Sequence, residues 1–172
     1  MVSSIATIFL VMLYLLIFTF SEQDGETSGG LSRMISEKCV ELINALSGKK
    51  WSELMMEGMT EYFENPIRKL AHFCEYAVMG VLLFFIWYPW LGLSGKADTK
   101  RKAKFRKRIP TLIKIIIPWV FLSAAFDEIH QVFIPGRYGN IWDVLLDTLG
   151  GGFGLFFCCL CVKKYKRKRR KL

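Results

Sequence analysis

The sequence predicts an all-α protein, a polytopic membrane bundle of four transmembrane helices with an amphipathic, extracytoplasmic helical segment between the first and second. Three observations predict it. Hydrophobic residues make up 52% of 172 positions and aromatics 15%, and the mean hydropathy is positive. The apolar residues gather in four long runs with few charges, each close to the roughly 20 residues a helix needs to cross a bilayer. The cations gather too: Lys96 to Arg108 and Lys163 to Lys171 hold eight Lys and Arg each, 16 of the 24 in the chain. That arrangement beside apolar runs is a cytoplasmic topology signal that also meets anionic lipid, so the +9 charge does not indicate a nucleic-acid binder.

Ile5 to Phe20 is the first apolar run. It lacks the basic start and the small-residue cleavage site of a signal peptide, so it reads as a retained span. The stretch from Ser21 to Asn65 has the opposite charge balance, nine acids against four bases from Glu22 to Glu64. It opens as a polar linker, SEQDGETSGG. Leu31, Met34, Ile35, Val40, Leu42, Ile43 and Leu46 then recur at near-helical spacing, which predicts an amphipathic helix lying on the bilayer or over the bundle. A short second helix is expected from Trp51 to Phe63.

Leu70 to Leu91 is the second span, with an aromatic belt of Trp87, Tyr88 and Trp90 at its inner end. Its outer end carries Arg68, Lys69, His72, Glu75 and Tyr76. Lys69, His72 and Tyr76 share one helix face by their spacing. Ser94 to Arg108 is a basic inner loop, and Pro110 to Phe126 is the third span, whose helix extends to Gln131. Ile134, Pro135, Gly136 and Arg137 have Pro and Gly at the central positions of a type II turn. Asn140 is an N-cap, with Asp143 at the third helical position, for a fourth span from Ile141 to Val162. Asp147 lies one turn deeper than Asp143, about 6 Å along the helix. Gly150 and Gly154 form a GxxxG face suited to helix packing.

This order places residues 1–66 as first span and outer segment, 67–162 as a membrane domain and 163–172 as a basic tail, with both termini cytoplasmic in a multi-pass cell-membrane protein. It also puts polar groups of three spans at one outer depth: Lys69, His72, Glu75 and Tyr76; Asp127, Glu128 and Gln131; Arg137, Asp143 and Asp147. Polar groups at such depths tend to pair and to serve function, so one outward-facing polar cluster is expected. A Glu128–Arg137 ion pair across the turn is the structural account of two of them. No nucleotide or cofactor motif occurs. His72, Asp127, Glu128 and His130 follow no metal-site spacing, so neither metal nor cofactor is expected. The five cysteines show no CxxC pair; they read as packing residues, with a Cys39–Cys74 bridge as the one alternative.

From about Arg68 to Gly154 the chain resembles the VanZ-like family of small integral membrane proteins, the teicoplanin-resistance family. The resemblance rests on KLAHFCEYAVMG and DEIHQVFIPGRYGNIWDVLLDTLGGGFG. The family's Lys-x-x-His-x-x-x-Tyr pattern falls on Lys69, His72 and Tyr76. Its Glu-x-x-Gln, Pro-Gly-Arg, Asp and Gly-x-x-x-Gly elements fall on Glu128, Gln131, Pro135, Gly136, Arg137, Asp143, Gly150 and Gly154. Where the family often has Asn, this chain has Asp147. Two readings follow. In one, the cluster binds or modifies the head group of a membrane lipid or lipid-linked envelope precursor, or meets a lipoglycopeptide, lowering susceptibility to teicoplanin-type compounds. In the other, the protein is an intramembrane hydrolase or transferase with His72 as base, Glu128 or Asp127 as acid and Arg137 on an oxyanion or phosphate.

Overall fold

The computed structural model describes residues 2–22, 25–48, 50–91 and 99–168. Among them it forms five helices and no strand: α1 (Val2–Ser21), α2 (Gly25–Ser47), α3 (Glu53–Trp90), α4 (Thr99–Gln131) and α5 (Ile141–Lys168). Four helices hold segments long and apolar enough to cross a membrane: Val2–Ser21, Glu53–Trp90, Arg108–Gln131 and Ile141–Tyr165. Their outward faces carry large apolar side chains such as Leu15, Leu122, Phe126 and Phe153, as lipid contact requires. The core between them holds Met79, Leu83, Phe84, Leu112, Ile116 and Val120, all at most 1% exposed.

Close approach of α3 and α5 organises the bundle, and theirs is the most extensive helix pairing. A Cβ on Gly150 would run into the carbonyl oxygen of Phe73, and one on Gly154 into that of Ala77. On the facing helix, a Cβ on Gly80 would strike the carbonyl of Gly151. Lipid tails give no hydrophobic drive for helix association, so backbone proximity of this kind supplies it through dispersion contacts. Helix α1 lies along α3 and α4. Ser3 Oγ is 3.5 Å from the carbonyl of Ile86 near one end, and Tyr14 Oη is 2.6 Å from Ser123 Oγ half-way along.

The expectation of a short helix from Trp51 to Phe63 separate from the second span is corrected: α3 runs unbroken from Glu53 through Pro66 to Trp90. Proline removes one i to i−4 bond and crowds the preceding turn, but α2 packs along this stretch and holds it helical. At 38 residues α3 is about 57 Å long, nearly twice the ~30 Å hydrocarbon thickness. Its first part therefore reaches beyond the bilayer with α2 as an antiparallel hairpin. Ser52 caps α3 by accepting from Met55 N, and Asn44 of α2 accepts from Trp51 N at 3.2 Å. Arg33 and Glu57 pair at 3.7 Å.

Of the apolar stripe on α2 the hairpin buries Val40, and the other buried positions are small and polar. Ser32, Ser36 and Val40 of α2 are buried, with Thr60 of α3, while Leu31, Met34, Leu42 and Leu46 are exposed. Small side chains let the two helices approach. The basic segment after the second span also differs from expectation. Residues 99–107 are helical, as Lys, Arg and Ala favour; residues 94–98 lie outside the described set, as do 23 and 24 of the polar linker and 169–172 of the tail. Cys39 and Cys74 are free thiols, so the bridge between them does not form.

Candidate functional site

The site is built where α4 ends and α5 begins. Helix α4 closes at Gln131, and Arg137 N donates to Ile134 O at 3.2 Å. Gly136 has φ +75° at the third position of this turn, which its lack of a Cβ permits. Asn140 then caps α5: its Oδ1 accepts from Trp142 N at 3.1 Å, and its Nδ2 donates to Asp143 Oδ2 at 3.3 Å. Its backbone N–H donates to Glu128 Oε2 at 2.7 Å. Glu128 thus ties the end of α4 to the start of α5 through the backbone, in place of the ion pair with Arg137 across the turn. Arg137 Nη2 instead donates to the carbonyl of Phe20 at 3.1 Å, one of the last carbonyls of α1 and so without an intrahelical partner.

Two further networks bind the helices together here. Lys69 of α3 forms an ion pair and hydrogen bond with Asp143 of α5. Ser21, the last residue of α1, donates to Asp127 Oδ1 at 2.6 Å, and Gln131 Nε2 donates to Asp127 Oδ2 at 3.0 Å and to Ser21 Oγ at 3.1 Å. All three residues of this second network are buried. A buried carboxylate needs such donors, because an unpartnered charge in a low-dielectric interior is costly.

Between the networks lies a cavity of about 150 Å³, far above the roughly 10–15 Å³ that one water needs. Lys69 and His72 reach it from α3, Glu128 and Gln131 from α4, Arg137 from the turn, and Asp143 and Asp147 from α5. Seven of the ten sequence-nominated polar residues therefore meet at one place. The other three do not line this cavity. Glu75 faces an adjoining groove that also touches His72 and Arg137, with Glu75 Oε2 3.6 Å from His72 Nδ1. Tyr76 and Asp127 line a larger apolar groove of about 760 Å³ between α1 and α4. Gly150 and Gly154 sit below, at the α3–α5 contact.

Sequence reasoning missed Ser21 and the carbonyl of Phe20, and it gave Arg68 and Asn65 no part in a site that both line. The small polar Ser21 ending an apolar run is a weak signal, since serines often mark such ends. Among the described residues no group of three or more His, Cys, Asp and Glu side chains is placed to hold a metal ion.

Comparison of the chain with protein-family models gives one decisive match, to VanZ/LLP1 over residues 6–162. The chain belongs to the VanZ/LLP1 family. The VanZ match is wider than the stretch whose motifs suggest it, since it includes α1 and the α2 hairpin. With four apolar helices, membership marks a multi-pass membrane protein. No curated protein and no solved structure matches the chain. In this VanZ-family protein the two motif-bearing stretches, around Lys69 to Tyr76 and Glu128 to Gly154, are those that α3, α4 and α5 bring together.

Proposed function

We propose that this VanZ-family protein holds the head group of a membrane lipid or lipid-linked envelope precursor in the polar cavity at the outer face of the cell membrane. Bound there, the head group is presented differently to teicoplanin-type lipoglycopeptides, and susceptibility falls. The observation that carries this reading is the cavity itself, with cationic and anionic side chains from three helices around a space larger than water alone requires. The apolar groove between α1 and α4 supports an amphiphilic ligand, because Asp127, which lines it, accepts a hydrogen bond from Gln131, which lines the cavity. A hydrocarbon chain in the groove lies beside a head group in the cavity.

The outward orientation rests on charge. The basic residues 99–108 and 163–168 belong to the start of α4 and the end of α5, the opposite ends from the cavity. The positive-inside rule assigns those ends to the cytoplasm. A variant keeping Cys39 on α2 and replacing the other four cysteines with alanine is expected to react with a membrane-impermeant maleimide in intact cells. Labelling only after the membrane is broken would reverse the orientation.

The function is tested by expressing wild type, His72→Ala, Glu128→Gln and Arg137→Gln at matched membrane abundance. Wild type is expected to raise tolerance to teicoplanin more than to vancomycin, and each variant to lose that difference. Variants that insert normally and protect as well as wild type would refute the role of the cavity. Head-group release by purified protein, absent in His72→Ala, would replace binding by the enzymatic reading.

A further inference from the structure

Glu75 lines neither the polar cavity nor the apolar groove, yet its carboxyl is turned toward a residue that does line the cavity. Its Oε2 lies 3.6 Å from Nδ1 of His72, three residues earlier on α3. Both atoms are buried, and neither has a hydrogen-bond partner among the described residues. Buried polar atoms without partners are rare in folded proteins. Two of them facing each other need only a single proton between them. The gap exceeds the usual N–H···O range by about 0.4 Å, which small turns of two side chains on one helix face close.

The neighbours of His72 around the cavity are held by other means. Lys69 pairs with Asp143, Glu128 accepts from Asn140 N, and Gln131 donates to Asp127 and Ser21. For His72 the holding group is Glu75, reached through the adjoining groove that both residues line. The imidazole side chain is 20% exposed although its Nδ1 is closed off, so the open part of the ring is not the edge at Glu75. The hydrogen bond made by one imidazole nitrogen sets the state and the direction of the other. A ring anchored at Nδ1 meets an occupant of the cavity in one orientation, with no entropy spent on fixing it at the moment of binding.

We propose that Glu75 is the positioning residue of His72: one proton held between Nδ1 and Oε2 fixes the tilt of the imidazole and leaves Nε2 as its free nitrogen. What His72 then meets in the cavity rests on the head-group reading above; the pairing itself does not. Glu75 acts through His72 and touches no ligand.

The test is nitrogen NMR of the detergent-solubilised full chain with isotope-labelled histidine. His72 and His130 are the two histidines of the sequence, so a His130→Asn variant assigns both signals. In wild type the Nδ1 signal of His72 is expected at the position of a hydrogen-bonded nitrogen. Glu75→Met keeps the length of the side chain without its oxygens, and is expected to release Nδ1 so that the ring samples both tautomers. Glu75→Gln keeps polar atoms at the same reach and is expected to restore the bond. At matched membrane abundance, Glu75→Met is expected to lose the extra tolerance to teicoplanin as completely as His72→Ala, and Glu75→Gln to keep most of it.

An Nδ1 signal that stays in place in Glu75→Met would overturn the inference, and so would a Glu75→Gln variant as damaged as Glu75→Met. A wild-type spectrum with Nδ1 free of any hydrogen bond would overturn it even where a variant does not fold, and would leave Glu75 as a counter-charge for the arginines of its groove. If wild type confers no tolerance, the head-group reading falls while the spectra still decide the pairing.

Discussion

Gly154→Leu is expected to leave almost no folded protein in the membrane, and Gly154→Ala to lower stability by roughly 2–3 kcal/mol. The reason is backbone, not side chain. The Cβ of any residue at 154 would fall on the carbonyl oxygen of Ala77, with Val81 N also close at 3.2 Å, and helix backbone does not swing aside as a side chain can. To admit it, α3 and α5 must separate along the contact that Gly150 and Gly80 share. Separation removes dispersion contacts in a solvent that offers no hydrophobic compensation, and it also draws Lys69 away from Asp143, opening the cavity. Gly58→Ala is the matched comparison. It lies in α3, in a helix interior like Gly154 but with nothing within 4 Å of its added Cβ, so it is expected to gain up to about 1 kcal/mol from helix propensity alone. Thermal melting of detergent-solubilised protein, followed by size-exclusion chromatography, measures both. A Gly154→Leu variant that melts like wild type would show that α3 and α5 do not meet as described.

How much of this is legible in the sequence depends on the range of the physics involved. The four spans, the Pro135–Gly136 turn and the Asn140 cap are local matters of hydropathy, φ preference and side-chain reach, and they can be read residue by residue. The polar level shared by Lys69, Glu128 and Asp143 is legible for a different reason: charges are rare in spans, so those that occur at one depth invite a common explanation. The continuity of α3 from Glu53 into the second span is not legible, because the packing of α2 that carries it through Pro66 is not visible in the sequence. Which face of α2 meets α3 is not legible either, since an apolar stripe suits the bilayer as well as the bundle. Leu42 and Leu46 follow the pattern of a covered stripe, yet Ser32 and Ser36 are buried against α3. Close helix approach favours small residues there, and hydropathy cannot express that preference. The position of α1 is the least legible of all, because its ties to the site run through Ser21 and a backbone carbonyl.

Those ties support the second large effect. The double variant Ser21→Ala/Gln131→Leu is expected to destabilise the bundle more than either substitution predicts for a lone hydrogen bond. It leaves Asp127, 7% exposed, facing two apolar side chains in place of the donors at 2.6 and 3.0 Å. A single neutral hydrogen bond contributes about 0.5–1.5 kcal/mol, whereas a buried polar group stripped of its partners costs about 1–3 kcal/mol and a charged one more. The asymmetry gives the decisive comparison. Adding Asp127→Leu to the pair removes the orphaned carboxylate, so the triple variant is expected to melt close to wild type and well above the double. Its function is a separate matter, because Gln131 lines the polar cavity and Asp127 the apolar groove. A spin-label distance between positions 11 and 122, which flank that groove, is expected to lengthen in the double variant as α1 loosens from α4, and to return toward the wild-type value in the triple. If the triple variant is no more stable than the double, the stranded carboxylate is not what loosens the bundle and Asp127 has no part in seating α1.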